Sequence, residues 1–366
     1  MNIHKQKKRD LIPTGGPIDP AEKKNFFFSG ESDLYYPFFP SDFITDPFEL
    51  CALLDLPRSL AASALSAAGR FPMKIPRSLL NRMEKGDPND PILIQFLPRK
   101  EETLFHPGFS PDPLEEKKTA DQNCILQKYQ GRALILTTDR CAASCRYCFR
   151  RCLPKGKSLA ALSRSVNSAQ ILQSIHDKDD LKEIILSGGD PCSLSDQALK
   201  ILFHYIKTIP SVNRVRIHSR LPILVPSRIN SSFCDLFREN FSSEKNFTFS
   251  VVFQINHPNE INSEVRSRLK DLHKTGILMM SQSVLLKGIN DSPDILAELF
   301  EKLIDIPVVP YYLHQLDRVE GAAEFEVSTQ KGLKIMEDLK KLLPGYAVPR
   351  YVREIPGEPC KKEIRE

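Results

Sequence analysis

No stretch of this chain approaches the about 20 consecutive apolar residues that a bilayer-spanning helix needs. The first residues also lack the apolar segment of a secretory leader, so a cytoplasmic location is expected. Charge of one sign is scarce too. The 51 basic residues barely exceed the 46 acidic ones, for a net charge of +5, and they are scattered apart from a short run at His4 to Arg9. Such a balance suits a phosphate-bearing ligand and gives no argument for a nucleic-acid or membrane partner. What remains is an ordinary globular composition, 41% hydrophobic and 27% charged. Cysteine, by contrast, is plentiful. Nine thiols without a secretory leader favour reduced cysteines and metal ligation over disulfides. Cys51, Cys124, Cys192 and Cys234 sit in unremarkable segments and read as small buried apolar residues.

The remaining cysteines are concentrated. Cys141, Cys145 and Cys148 follow a short apolar strand at Arg132–Thr138. Three thiolates on one loop can hold a four-iron cluster and leave its fourth iron open. The Cys-x3-Cys-x2-Cys spacing, with Tyr147 before the third cysteine, resembles the signature of radical S-adenosylmethionine (SAM) enzymes. That resemblance implies a [4Fe–4S] cluster, SAM bound on the open iron and an external electron donor. Cys152 adds a fourth thiol at a helix-like offset, so a four-thiol zinc site in a structural protein stands beside this reading.

The chain before Pro40 reads as an arm. Asp46–Leu56, Ser59–Arg70 and Arg77–Lys85 then read as short helices of an N-terminal domain ending near residue 120. Strand patterns follow at Arg132–Thr138, Glu183–Ser187, Arg214–His218, Thr248–Gln254, Leu278–Leu285 and Val308–Leu313. Helical patterns lie at Ser168–Asp177, Ser195–Thr208, Ser231–Asn240, Ser263–Lys274, Ser292–Asp305 and Ser328–Leu342. Alternation of this kind predicts an α/β fold with a parallel sheet. Six units are two short of a closed barrel, so a partial (β/α)6 barrel is expected over 121–343. A C-terminal segment, 344–366, is expected to fold back over its mouth, where Tyr346–Val352 has the composition of an edge strand. Chemistry belongs at the carboxyl ends of the strands. Ser187, Gly188, Gly189 and Asp190 stand at one such end; Ser219, Arg220 and Arg228 follow another. His257, Gln282, Asn290 and Asp317 stand near the rest. The arginines suit a carboxylate or phosphate, and Asp317 suits a substrate cation.

Taken together, the cysteine run and the segments Ser187–Pro191, Gln254–Glu260, Gln282–Asp291 and Tyr311–Asp317 resemble the lysine 2,3-aminomutase family. Ile75–Pro91, Pro107–Glu116 and Arg353–Lys361 resemble its short bacterial branch. The resemblance implies conversion of L-lysine to β-lysine with SAM, the cluster and pyridoxal phosphate (PLP). It also implies a functional link to elongation factor P and its lysine ligase. Residue by residue, it implies that Cys141, Cys145 and Cys148 hold the cluster. Ser187, Gly188, Gly189, Asp190 and Gln282 would contact the cofactors. Arg150 would grip the substrate carboxylate, and Lys128 and Arg132 the PLP phosphate. Asp317 and Glu354 would take the substrate ε-ammonium, and Lys361 would carry PLP, with Lys362 as the competing choice. Glu354 stands where the family has aspartate, and Lys128 where longer members have arginine. Asp317 and Glu354 disfavour the alternative that the substrate is another amino acid such as glutamate, because like charges would meet.

Overall fold

A computed structural model describes residues 34–69, 71–119, 124–152, 175, 180–241 and 247–365. The arm expected before Pro40 and the helix expected over 168–177 lie largely outside that set. Two short strands, β1 (Phe43–Ile44) and β2 (Ile75–Pro76), pair antiparallel and frame two helices, α1 (Pro47–Leu53) and α2 (Arg58–Ala67). The third helix expected there is a 3-10 segment, Arg77–Arg82, that begins directly after Pro76. These pieces share one apolar cluster built on Ile44, Leu50, Leu79, Leu93 and Phe96. Ala143 and Leu224, from further along the chain, complete it.

The central sheet has nine strands. In chain order they are β3 (Ile125–Tyr129), β4 (Arg132–Thr138), β5 (Glu183–Gly188), β6 (Arg214–Ser219), β7 (Thr248–Gln254), β8 (Leu278–Leu285), β9 (Val309–Gln315), β10 (Arg350–Arg353) and β11 (Lys362–Glu363). They lie side by side in that same order. β4 to β10 are mutually parallel, while β3 and β11 pair antiparallel at the two edges. All six expected strands are present, and β10 makes a seventh parallel strand. Val308 is left out of β9, which runs on to Gln315. The expected edge strand starts later, at Arg350, because Gly345–Ala347 forms a 3-10 turn. β3 carries no clear alternation. It pairs through a turn at Gly131, whose φ of 71° is open to glycine.

Between the strands lie α3 (Glu116–Thr119), which precedes β3, and α4 (Asp196–Thr208), α5 (Leu221–Leu224), α6 (Ser231–Phe241), α7 (Ser263–His273), α8 (Pro293–Ile304) and α9 (Thr329–Leu342). Their starts follow side-chain caps: Ser195, Asn262 and Ser328 accept from the backbone N–H groups of Ala198, Val265 and Lys331. α4 buries Ala198, Leu199, Leu202, Phe203 and Ile206, one stripe at helical spacing. Ile184, Ile185 and Leu186 of β5 are all buried, as expected of a parallel strand covered on both faces. Together these surfaces make the main core. Among the described residues, no helix is long and apolar enough to cross a membrane.

Candidate active site

A cavity of about 540 Å³ opens at the carboxyl ends of the strands. One wall is the loop after β4. Cys141, Cys145 and Cys148 all line the cavity, and all nine cysteines are free thiols. Cys152 does not reach it; it packs with the apolar cluster of Tyr147, Leu286, Leu316 and Phe325. Among the described residues no three His, Cys, Asp or Glu side chains are grouped to share one metal ion. A four-iron cluster asks for something else, because each thiolate takes a different iron. Burial and the neighbouring Asp190 push the Cys141 thiol well up, and burial with Cys145 pushes Cys148 to about 11. Crowded thiols of this kind ionise when a cation arrives to share.

The N-terminal segments hold that loop in place. Ser144 donates its N–H to the Lys74 carbonyl (2.9 Å) and Arg146 to the Gln95 carbonyl (2.8 Å), while Lys74 Nζ donates to the Cys141 carbonyl (2.9 Å). Arg146 is fully buried against Glu102 and the ring of Phe71. The end of β5 presses on the loop from the other side. Gly189 donates to Thr138 and Asp190 to Arg140. A Cβ on Gly188, at φ 114°, would stand 2.6 Å from the Thr138 carbonyl oxygen, and one on Gly189 would collide with the Arg140 backbone. The paired glycines therefore serve first to let β5 meet the cysteine loop. Gly189→Ala is expected to cost about 1–3 kcal/mol through this overpacking. Thermal melting would show it as a lowered midpoint, and an unchanged midpoint would refute the contact.

Several expected site residues turn out to support the frame. Asp190 lines the cavity, but its carboxylate accepts from Ser219 Oγ (2.6 Å) and from the N–H groups of Arg220, Leu221 and Cys192. Arg228 is neither a surface residue nor a ligand group. It is fully buried, bonded to the Cys192 and Leu194 carbonyls and to Asp196. Asn290 ties its amide to the Asn256 and Val284 carbonyls, and His257 caps the turn at Pro258–Glu260. Arg220 reaches Glu260 (2.9 Å), Gln95 (2.7 Å), Tyr147 and Cys145 Sγ (2.9 Å), so it buttresses the cysteine wall.

A chain of charges also lines the cavity, starting from Arg150 at the end of the cysteine loop. Arg150 grips Glu116 with Nε (2.7 Å) and Nη2 (2.9 Å). Lys128 Nζ sits between Glu116 (3.1 Å) and Glu354 (2.8 Å), and Glu354 also pairs with Lys361. Lys128 leads from β3, and Glu354 directly follows β10, so this bridge joins opposite sides of an open sheet. Burial opposes ionisation of Glu354, yet Lys361 and Lys128 hold its carboxyl down to about 2. Burial likewise opposes ionisation of Glu116, and Arg150 and Lys128 outweigh it. Asp317, which no such cation grips, goes the other way: burial and then the Glu354 charge push it up to about 7. Lys362 is directed elsewhere. It pairs with Glu358 at 3.0 Å and is 51% exposed, against 21% for Lys361.

Arg132, Gln282, Ser187, Gly188 and Gly189 also line the cavity. So do Arg216, His218 and His314, which sequence reading passed over. Arg216 Nε, His218 Nε2 and His314 Nε2 are buried without a hydrogen-bond partner. Burial holds His218 well below the usual histidine range and His314 down to about 3, both helped by nearby cations, so both rings are neutral. Glu116 was also overlooked. It lay in a turn-rich stretch with no strand pattern to mark it as a site residue.

No family model matches the chain. Among curated proteins it is 42% identical over 326 residues to the L-lysine 2,3-aminomutase of Escherichia coli (strain K12). That match covers 88% of this chain and 92% of the relative. The protein of the same name from Haemophilus influenzae is 38% identical, covering 87% and 92%. The one from Clostridium subterminale is 33% identical, covering 78% of this chain and 67% of the longer relative. A solved radical SAM methyltransferase from Sphaerobacter thermophilus is 16% identical, with a TM-score of 0.40 over 60% of this chain and 66% of that one. By the extent and identity of the curated matches, this chain belongs to the L-lysine 2,3-aminomutase family.

Proposed function

We propose that the chain is a radical SAM, PLP-dependent L-lysine 2,3-aminomutase that makes β-lysine for the modification of elongation factor P. The observation that carries this reading is one cavity lined by the three thiols together with Arg150, Asp317, Glu354 and Lys361. The donor sets fit the cofactors. Three thiols facing a cavity suit a cluster with one open iron, and the strand end at Ser187–Gly189 lies beside them for SAM. The orphaned donors of Arg216, His218 and His314, with Arg132 nearby, suit a phosphate-bearing ring. When bound, these groups supply the radical chemistry and the nitrogen carrier, and the electron comes from an external donor.

The protein's own residues hold and orient the substrate. Arg150 takes the lysine carboxylate through planar, charge-assisted bonds. Asp317 and Glu354 take the far ammonium, so a lysine would span the cavity between them. Lys361 anchors PLP. The family's aspartate is replaced by Glu354, whose extra methylene lets it reach both Lys128 and Lys361. Service to elongation factor P rests on the resemblance of Ile75–Pro91, Pro107–Glu116 and Arg353–Lys361 to the short bacterial branch of the family. We also propose the division into 1–120, 121–343 and 344–366.

Anaerobic reconstitution with iron, sulfide, PLP, SAM, a reductant and lysine tests the reading. β-Lysine resolved by mass-detected chromatography is the expected product; SAM cleavage with no lysine consumed would reject it. A second expectation follows from Asp317. Burial and the Glu354 charge push its carboxyl up to about 7, and it must be ionised to hold an ammonium. Below pH 7, lysine binding must therefore expel that proton, and affinity falls as pH falls. Asp317→Asn should remove this part of the pH dependence and weaken lysine binding by roughly 2–5 kcal/mol if the pair is fully desolvated. Equal pH slopes in the two proteins would take Asp317 out of the site.

A further inference from the structure

Glu116 is a buried carboxylate, 3% exposed, and it touches two residues of the charged wall at once. Its backbone is set up for the task. Asp112 accepts from the N–H groups of Glu116 and Lys117 (both 2.9 Å), and Glu115 takes a left-handed conformation at φ 52°. A non-glycine residue there is uncommon and costs energy that the surroundings must offset. The loop is also tied to the segment after Asp317: Ser110 donates to the Arg318 carbonyl (2.9 Å) and accepts from Glu320 (3.0 Å).

The guanidinium of Arg150 has five N–H donors. Glu116 takes the Nε–H and one on Nη2. The two on Nη1 reach Ser187 Oγ at 3.0 Å and, as the longest of the four bonds, the Gly188 carbonyl at 3.3 Å. Left over is the second Nη2 hydrogen, beside an Nη1 that makes the longest of the four bonds. Nη1 and Nη2 form the edge of the fork opposite Nε, and that edge can take a carboxylate in a bidentate grip.

We propose that Glu116 is a positioning residue that fixes the Arg150 fork so that only its Nη1–Nη2 edge is open to the substrate carboxylate. This rests on Arg150 being the carboxylate ligand. Glu116 touches neither substrate nor cofactor; it acts through Arg150, and its second partner, Lys128, holds the carboxylate from the other side.

The test compares L-lysine with L-lysinamide, which keeps both amines and replaces the carboxylate with a neutral group. Anaerobic titration calorimetry on the cluster- and PLP-loaded protein reads both affinities. The unaltered protein is expected to prefer lysine. Glu116→Gln is expected to weaken lysine at least about tenfold while lysinamide changes less than threefold. Glu116→Asp keeps the charge but is one methylene short of holding Arg150 and Lys128 together; it should lose part of the preference and guards against a Gln variant that fails to fold. Arg150→Gln should abolish the preference altogether. Equal loss for both ligands in both Glu116 variants would overturn the proposal in favour of a general scaffold role. Tighter lysine binding in Glu116→Gln would overturn it differently, making Glu116 a competitor that the substrate displaces. A preference that survives in Arg150→Gln would instead show that the carboxylate assignment itself is wrong.

Discussion

Cys141→Ala, Cys145→Ala and Cys148→Ala are each expected to lose the iron–sulfur spectrum and all SAM cleavage, whereas Cys152→Ala keeps both. The spacing alone does not separate the fourth thiol from the other three. The cavity does: Cys141, Cys145 and Cys148 line it, whereas Cys152, which like Cys145 packs against the apolar cluster of Leu286, Leu316 and Phe325, does not. A fourth thiolate would also close the iron that SAM needs. Cys145 has a further consequence. Its sulfur lies 2.9 Å from Arg220 Nη1, and Arg220 is anchored on Glu260 and Gln95, so a buried cation stands beside that ligand. Iron content per chain and the SAM-responsive spectrum after anaerobic reconstitution decide the matter. Loss of iron in Cys152→Ala alone would sink the three-ligand assignment, and one zinc per chain bound by all four thiols would replace it.

Lys361→Ala is expected to abolish turnover and the absorbance of lysine-linked PLP, and borohydride reduction of the loaded protein should tag Lys361. Neighbouring residues of an extended chain point to opposite faces. Lys361 accordingly meets Glu354 inside the cavity, and Lys362 meets Glu358 outside it. The pairing with Glu354 carries a corollary. The Lys361 ammonium lies against a carboxylate proposed for the substrate's own ammonium. Were Lys361 joined to PLP, its amine would no longer be free to pair with Glu354, and Lys128, 2.8 Å away, would be the cation that stays on that carboxylate. Peptide mass mapping locates the tag; finding it on Lys362, or full activity in Lys361→Ala, would reject the assignment.

Much of this protein is legible from local pattern. Six strands and the helices that follow five of them are legible, because burial on the two faces of a strand and the stripe of a helix are written at spacings of two and about 3.6 residues. The cysteine loop is legible for the same reason, since all its ligands fall within eight residues. β3 was not, because its pairing depends on a neighbour rather than on its own pattern. β10 was placed too early because a turn at Gly345–Ala347 delays its start. At the strand ends, residue type alone misled. Arg228 and Asn290 have the chemistry of ligands, yet Arg228 is bonded to the Cys192 and Leu194 carbonyls and Asn290 to those of Asn256 and Val284.

The family, the parallel sheet and the three-thiol motif are properties of the sequence by itself. The order of charges along the cavity wall is not. Arg150, Glu116, Lys128, Glu354 and Lys361 form one chain of ion pairs, although Lys128 and Glu354 stand 226 residues apart. A charge has no periodicity to mark its partner, and whether it is a ligand, a strut or a positioning group depends on what burial brings against it. Only the curling of an open sheet, which carries β3 towards the end of β10, determines which carboxylate meets which cation.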